Sequence, residues 1–155
     1  DDKGEIASTG TVNLKLLNKL NTLEFYKIKS PKSLGLEWVE NYIFSLINNF
    51  KLEVPDILRT FVEHIAVQIS NHINSKNKQV LVTGGGAYND FLINRLRYHS
   101  ISEIIIPSKE IIEYKEALIF GLLGILKDRG EVNCLKSVTG AKKDHSSGKI
   151  LLPKT

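Results

Sequence analysis

Residues 79–96 read QVLVTGGGAYNDFLINRL, and the fold class is inferred from this stretch. The run from Gln79 to Thr83 is short, continuous and rich in β-branched residues, which predicts a strand covered on both faces. Three glycines follow it, and the sequence from Asn89 to Tyr98 then predicts a helix. A strand, a glycine turn and a helix in this order indicate an α/β protein.

The segments after this stretch continue the same alternation. Glu103–Ile106 predicts a second strand, stopped by Pro107, and Ile111–Lys127 predicts another helix. Strand, helix and strand in this order favour parallel pairing. Because two strands rarely form an independent sheet, we expect further strands in the irregular segments or in a preceding part of the protein.

Helical apolar spacing also marks the residues before the first strand. It predicts a short helix over Val12–Asn21, a helix with one buried stripe over Glu37–Phe50, and a long helix from Pro55 to Asn74. Proline and the acidic residue Asp56 suit the first turn of that long helix. Ser30 and Pro31 interrupt the pattern between the first two helices.

Composition bounds the class of protein. The 155 residues are 42% hydrophobic and 25% charged, as in soluble globular proteins. No apolar run reaches the roughly 18 residues of a membrane helix, so no membrane partner is expected. The single cysteine, Cys134, excludes an internal disulfide and favours a cytoplasmic setting. Since the chain contains no methionine, we expect it to be a fragment or a processed product.

Charge and histidine placement argue against two further classes of site. The net charge is +4, but the basic residues are spread out and lack interleaved aromatics, so no nucleic-acid partner is expected. His64 and His72 lie two helical turns apart, which does not suit a zinc pair. We therefore assign no metal ligands to this chain.

The glycine turn is the best candidate for a binding site. Glycine lets backbone N–H groups approach a ligand closely, and the start of the following helix offers unpaired donors and a partial positive charge. Together they suit a phosphate; the alternative is a tight turn that binds no ligand. The Lys-Ser/Thr pair of a P-loop is absent, and so is the acidic residue of a dinucleotide site.

Five segments carry a resemblance to a known family. Gly84–Leu92 resembles the adenosine-site motif of the sugar kinase, actin and heat-shock chaperone ATPase superfamily, and more narrowly that of the anhydro-N-acetylmuramic acid kinases. Four other segments match that family in the right order: Asp2–Glu5, Pro31–Glu37, Glu116–Phe120 and Asn133–Ala141.

The resemblance implies a fold and a reaction. Such kinases have two ribonuclease-H-like lobes, and this chain is similar to the C-terminal lobe, an α/β unit with a partly parallel sheet flanked by helices. Residues 1–30 would connect from a missing N-terminal lobe and add a short helix, and residues 31–155 would form the nucleotide-binding lobe. The family uses ATP and Mg²⁺ to open the 1,6-anhydro ring of anhydro-N-acetylmuramic acid and to phosphorylate O6, during cell-wall recycling. A homodimer is implied for the full-length protein.

The resemblance also implies roles for several residues. Gly84, Gly85 and Gly86 would approach the α-phosphate and ribose, and Asn89 would cap the helix or contact the nucleotide. Glu116 would face the sugar side of the cleft, unless it is simply a first-turn acid favoured by the helix dipole. The aspartate that acts as general base would precede residue 1, so no catalytic residue is expected in this chain.

Residues 32–37 keep only part of the family pattern. Lys32, Ser33 and Glu37 match it, although Ser33 has the alternative role of capping a helix that begins near Gly35. Leucine stands at positions 34 and 36, where the common pattern has threonine and arginine. These departures leave a second hypothesis open, that of a nucleotide-binding module or an inactive family member.

Overall fold

The computed structural model describes residues 1–29 and 32–151 in two compact units, Asp1–Pro107 and Ser108–Thr155. The interruption predicted at Ser30 and Pro31 lies outside the described residues. The predicted division at residue 30 concerned the lobes of a larger protein, and it stays a prediction.

The first unit contains the predicted strand–helix–strand element. Strand β1 (Gln79–Leu81) pairs in parallel with β2 (Glu103–Ile105), with Val80 opposite Ile104. A 3₁₀ turn (Gly85–Tyr88) and helix α6 (Asp90–His99) connect them. The parallel α/β arrangement is therefore confirmed.

The prediction that β1 is covered on both faces is wrong for this structure. Val80 packs against a core of Ala66, Ile93, Leu96 and Ile104, whereas the side chain of Leu81 is 59% exposed. Successive side chains of a strand point to opposite faces, and among the described residues of the first unit only the face of Val80 contributes to a core. The continuous apolar run could not show which faces are covered.

Helix α5 (Val54–Ile73) is the central element of the first unit, where it packs against α1 (Glu5–Thr9), α2 (Leu14–Asn21) and α6. Pro55 and Asp56 lie in its first turn, as predicted. The Asp56 carboxylate also accepts a hydrogen bond from the backbone N–H of Thr11 at 2.7 Å, so the same acid fixes the loop before α2.

A second core joins α2 to the helical run at residues 36–48. Leu16, Leu20 and Ile43 are almost fully buried there. The run comprises α3 (Leu36–Trp38), a π-helical segment (Val39–Phe44) and α4 (Ser45–Asn48). The single helix predicted here is thus a helix with a wider middle turn, a detail that apolar spacing does not encode.

The second unit consists of α7 (Lys109–Asp128), the short α8 (Lys136–Thr139) and an antiparallel bridge between Cys134 and His145. Several large apolar side chains of α7 are exposed, among them Leu118, Phe120 and Leu122. Within residues 1–29 and 32–151, no helix has both the length and the apolar character needed to cross a membrane.

Candidate functional site

The glycine turn lies directly between β1 and α6. Gly84 has φ +82°, a conformation that favours glycine. Gly85 and Gly86 belong to the 3₁₀ turn and lack a positive φ. The turn is closed by two backbone hydrogen bonds, Ala87 N–H to Gly84 O at 3.0 Å and Asn89 N–H to Gly86 O at 3.1 Å. Of the three glycines, only Gly84 therefore has a backbone conformation that requires glycine.

The three glycines have open space where side chains would point. A Cβ built on Gly84, Gly85 or Gly86 meets no other atom within 4 Å. Gly85 and Gly86 are exposed, whereas Ala87 is 5% exposed and anchors the turn in the protein. The turn is thus anchored by the buried Ala87, while the backbone of its exposed glycines remains accessible to a ligand.

Asn89 caps α6, as predicted. Its Oδ1 accepts a hydrogen bond from the backbone N–H of Leu92 at 2.9 Å, which satisfies one of the unpaired donors of the first turn. α6 has ten residues and carries Asp90 in its first turn. The proposed contact of Asn89 with a nucleotide stays a prediction.

A buried ion cluster fastens α6 to α5. Glu63, 6% exposed, accepts two hydrogen bonds from Arg95, at 2.7 Å to Oε2 and 2.8 Å to Oε1, and lies 2.6 Å from His99 Nε2. Burial opposes the charged carboxylate, but the bonds from Arg95 and His99 outweigh it and hold the pKa of Glu63 below its ordinary value. The bonds from Arg95 to Glu63 also raise the pKa of Arg95.

Sequence reasoning missed this cluster. Glu63 sits inside the apolar face of α5, next to the buried Val62 and His64. An acid within a buried stripe must be paired, and that was the signal available. Its partners are 32 and 36 residues away in the sequence, so the signal could not identify them.

Glu116 belongs to the second unit and is exposed. The alternative that it is a first-turn acid is wrong, because α7 begins at Lys109 and places Glu116 in the third turn. The first-turn acid is Glu110, and a hydrogen bond from Ser108 lowers its pKa. The expectation that Glu116 faces the sugar stays a prediction.

The residues at 32–37 have local structural roles in the first unit. Lys32 Nζ donates a hydrogen bond to the backbone oxygen of Phe25 at 3.1 Å and lies 4.7 Å from the centroid of the Phe25 ring. Glu37 is an exposed first-turn residue of α3, as predicted. The predicted Ser33 cap is wrong, because Gly35 occupies the N-cap position. Ligand contacts of Lys32, Ser33 and Glu37 stay predictions.

Leu34, one of the two departures from the family pattern, lines a small cavity of about 200 Å³. Tyr26, Trp38 and the fully buried His64 lie around it. Leu34 contributes to this lining although its side chain is 46% exposed. Leu36 is 67% exposed, and nothing in the structure explains its replacement.

Hydrogen bonds determine the protonation of His64. Asn21 Oδ1 accepts from Gln68 Nε2 at 2.9 Å and lies 2.6 Å from His64 Nδ1. An amide oxygen only accepts, so Nδ1 carries the proton and Nε2 accepts from the Tyr26 hydroxyl at 2.9 Å. Burial lowers the pKa of His64 to about 4, which keeps the ring neutral at pH 7.

Metal ligands are not clustered in the part of the chain that the structure describes: no group of three or more His, Cys, Asp or Glu side chains there is placed to hold an ion. Within those described residues, no Mg²⁺ site made of three or more such side chains is therefore present.

Comparison with known sequences identifies the family to which this chain belongs. The sequence model of the anhydro-N-acetylmuramic acid kinases matches residues 1–153. The chain belongs to the anhydro-N-acetylmuramic acid kinase family. Its resemblance to that family, recognised from five segments, is confirmed, and so is membership of a kinase family.

Individual relatives show how much of a family member this chain represents. The chain is similar to anhydro-N-acetylmuramic acid kinases from Francisella tularensis subsp. novicida (34% identity), Coxiella burnetii (31%) and Caldanaerobacter subterraneus subsp. tengcongensis (29%). These alignments cover 97%, 97% and 98% of the chain, and 42% of each relative. The chain thus spans less than half the length of these relatives.

Proposed function

We propose that the full-length protein is an ATP-dependent kinase that opens the 1,6-anhydro ring of anhydro-N-acetylmuramic acid. Water attacks the anomeric carbon, the bond from that carbon to O6 breaks, and O6 takes the γ-phosphoryl group of ATP. The products are N-acetylmuramic acid 6-phosphate and ADP. Family membership over residues 1–153 supports this proposal.

The contribution of this chain is to hold the nucleotide at the glycine turn. The observation that carries this assignment is the accessible backbone of Gly84, Gly85 and Gly86, placed immediately before the N-terminus of α6. Backbone N–H groups in this position stabilise negative charge, and phosphate is the part of ATP that needs them. Asn89, which ends the turn, is the further candidate for a nucleotide contact.

The remaining parts of the proposal concern the whole protein. Its two lobes have the ribonuclease-H-like fold, and this chain forms the C-terminal, nucleotide-binding one. The general base is an aspartate outside this chain, and Glu116 faces the sugar. Mg²⁺ enters with the phosphates of ATP, because the described residues offer it no site. The enzyme works in the cytoplasm, in cell-wall recycling, as a homodimer.

The direct test is product formation. The full-length protein is incubated with anhydro-N-acetylmuramic acid, ATP and Mg²⁺, and the mixture is analysed by mass spectrometry. We expect N-acetylmuramic acid 6-phosphate in equal amount to ADP. A folded protein that yields no sugar phosphate would refute the reaction, and ADP without sugar phosphate would indicate ATP hydrolysis alone.

The glycine turn is tested separately by Gly86→Ala and Gly85→Val. Neither position has a neighbour within 4 Å or a positive φ, so both variants should fold. We expect the KM for ATP to rise at least about tenfold for the valine, which corresponds to about 1.4 kcal/mol. Gly121→Ala, at an equally open glycine of α7, is the matched control. An unchanged KM for ATP in both turn variants would remove the turn from the site.

The second candidate function is nucleotide binding without sugar phosphorylation, and Leu36 is the observation that favours it. Its side chain is 67% exposed, at a position where the family pattern has a polar arginine. If the protein binds ATP but forms no product, Leu36→Arg is the variant to examine. Product formation by that variant would show that substrate recognition, rather than catalytic machinery, has been lost.

A further inference from the structure

Gly4 occupies a left-handed turn at the start of the first unit. Lys3 has φ +50° and Gly4 has φ +80°, and the turn leads directly into α1. The Asp1 carboxylate accepts hydrogen bonds from the backbone N–H groups of Ile6 at 2.8 Å and Ala7 at 3.1 Å. The turn is therefore fixed to α1, and Gly4 is buried.

The buried side of Gly4 lies directly against the residues that follow the glycine turn. A Cβ at this position would stand 2.5 Å from Asn89 Oδ1 and 2.5 Å from Phe91 Cβ. Real side chains do not approach that closely, so any residue larger than glycine must displace Asn89, Phe91 or the Asp1–Gly4 turn.

Neither neighbour can yield easily. Asn89 Oδ1 is already bound to the backbone N–H of Leu92, so its movement breaks the cap of α6. The Arg59 guanidinium lies over the Phe91 ring, 4.7 Å from its centroid, and 3.9 Å from the carboxylate of Glu63. The Phe91 ring is thus in contact with a side chain that belongs to α5.

We propose that Gly4 is a positioning residue for the nucleotide turn. Its missing side chain lets the Asp1–Gly4 turn pack against Asn89, and this contact sets the position of the Gly84–Gly86 backbone relative to α6. Gly4 itself touches no nucleotide. The inference rests on the proposed function, because it concerns the same turn.

The test compares two glycines in the full-length protein. Gly4→Ala strikes Asn89, whereas Gly10→Ala strikes the backbone carbonyl of Pro55, which is part of the same unit but not of the glycine turn. Both variants should have a lower melting temperature. Only Gly4→Ala should raise the KM for ATP, by about tenfold, with the KM for the sugar changed less than about twofold. Equal changes in the KM for ATP would overturn the proposal.

A double variant tests the route of the effect. Asn89→Ser keeps a side chain that can cap α6 but removes the amide oxygen with which the new Cβ of Gly4→Ala would clash. Gly4→Ala with Asn89→Ser should therefore raise the KM for ATP less than the product of the two single changes. Independent, multiplicative effects would contradict a route through Asn89.

Two further results keep the outcomes distinct. If Gly4→Ala does not fold, the single variant Asn89→Ser removes the amide oxygen that lies against Gly4 while keeping a capping hydroxyl, and it should raise the KM for ATP several-fold; no rise would overturn the proposal. If Gly85→Val and Gly86→Ala raise the KM for ATP but Gly4→Ala does not, the nucleotide turn stands and the positioning role fails. If none of the three raises it, the proposed nucleotide site fails as well.

Discussion

Glu63→Gln is the perturbation with the most definite energetic consequence. The Glu63 side chain is 8% exposed and faces three cationic or ionisable groups, with Arg95 at 2.7 Å, His99 at 2.6 Å and Arg59 at 3.9 Å. Glutamine keeps the shape but removes the charge, and it turns one acceptor oxygen into an NH₂ donor that faces other donors. The variant therefore leaves the Arg95 guanidinium partly buried without its counter-ion.

The size of the effect follows from the burial of the pair. Removing one partner of a buried ion pair costs about 3–5 kcal/mol. Because the side chains of Arg95 and His99 are 19% and 25% exposed, water can solvate them in part, and we expect the lower end, about 3 kcal/mol. Since 1.36 kcal/mol is a factor of ten, the amides that exchange by opening of α5 and α6 should exchange roughly a hundred times faster.

The assay is hydrogen exchange by mass spectrometry on peptides from α5 and α6. Glu131→Gln provides a matched control, because Glu131 forms an ion pair with Arg129 at 2.6 Å whose side chains are 45% and 66% exposed. Such a surface pair contributes at most about 1 kcal/mol. If both variants change exchange in their own regions by similar factors, burial is not the source of the stability, and the reasoning fails.

Two predictions concern other parts of the chain. The pKa of His64 is about 4 in the folded protein, against an ordinary value of 6.5. As the pH falls, the unfolded chain therefore binds a proton at His64 before the folded protein does. The contribution of neutral His64 to the free energy of unfolding is complete above pH 6.5, and about 3 kcal/mol of it is lost by pH 4. Urea unfolding should show this loss in the wild type and not in His64→Gln; parallel losses would refute it. Asn133 Nδ2 donates hydrogen bonds to Leu123 O at 3.2 Å and to Ser147 O at 3.1 Å, and its Oδ1 accepts one from the backbone N–H of Ser147 at 2.7 Å. Asn133→Ala should cost about 0.5–1.5 kcal/mol locally and expose the Ser147 amide to exchange, whereas Asn133→Asp keeps the acceptor and should protect it.

The elements that the sequence predicted well are those determined by neighbours along the chain. The strands β1 and β2, helix α6 and its Asn89 cap each follow from a signal within about ten residues: a β-branched run, helical spacing, or a capping side chain. The parallel pairing of the two strands follows from their order around α6. The helix from Pro55 is another case, since proline and Asp56 mark its first turn. Boundaries moved by one or two residues because fraying and caps set them.

The features that were missed depend on residues distant in sequence. Leu81 reads as a buried strand residue, but its exposure depends on which elements cover the sheet. The hydrogen-bonding partners of Glu63 lie on α6, 32 and 36 residues away, and the neighbours of Gly4 lie at the start of the same helix. Asp1 is exposed, and the sequence did not predict the hydrogen bonds that its carboxylate accepts from the backbone N–H groups of Ile6 and Ala7.

The glycines of this chain differ in the structural requirement that each one meets, and this difference bears on the nucleotide site. Gly4 and Gly10 are required by close neighbours, and Gly84 by its positive φ. Gly85 and Gly86 have neither reason within the chain. Replacing a conformationally compatible glycine by alanine stabilises a protein by about 0.4–1 kcal/mol.

Alanine at positions 85 and 86 should therefore stabilise the protein in the absence of ATP while raising the KM for ATP. Opposite signs in these two measurements are expected only if a ligand approaches the turn and the protein itself does not. If the double variant Gly85→Ala/Gly86→Ala lowers the melting temperature of the full-length protein without ATP, another part of the protein packs against the turn. The open glycine backbone would then be a structural contact between parts of the protein instead of a phosphate site.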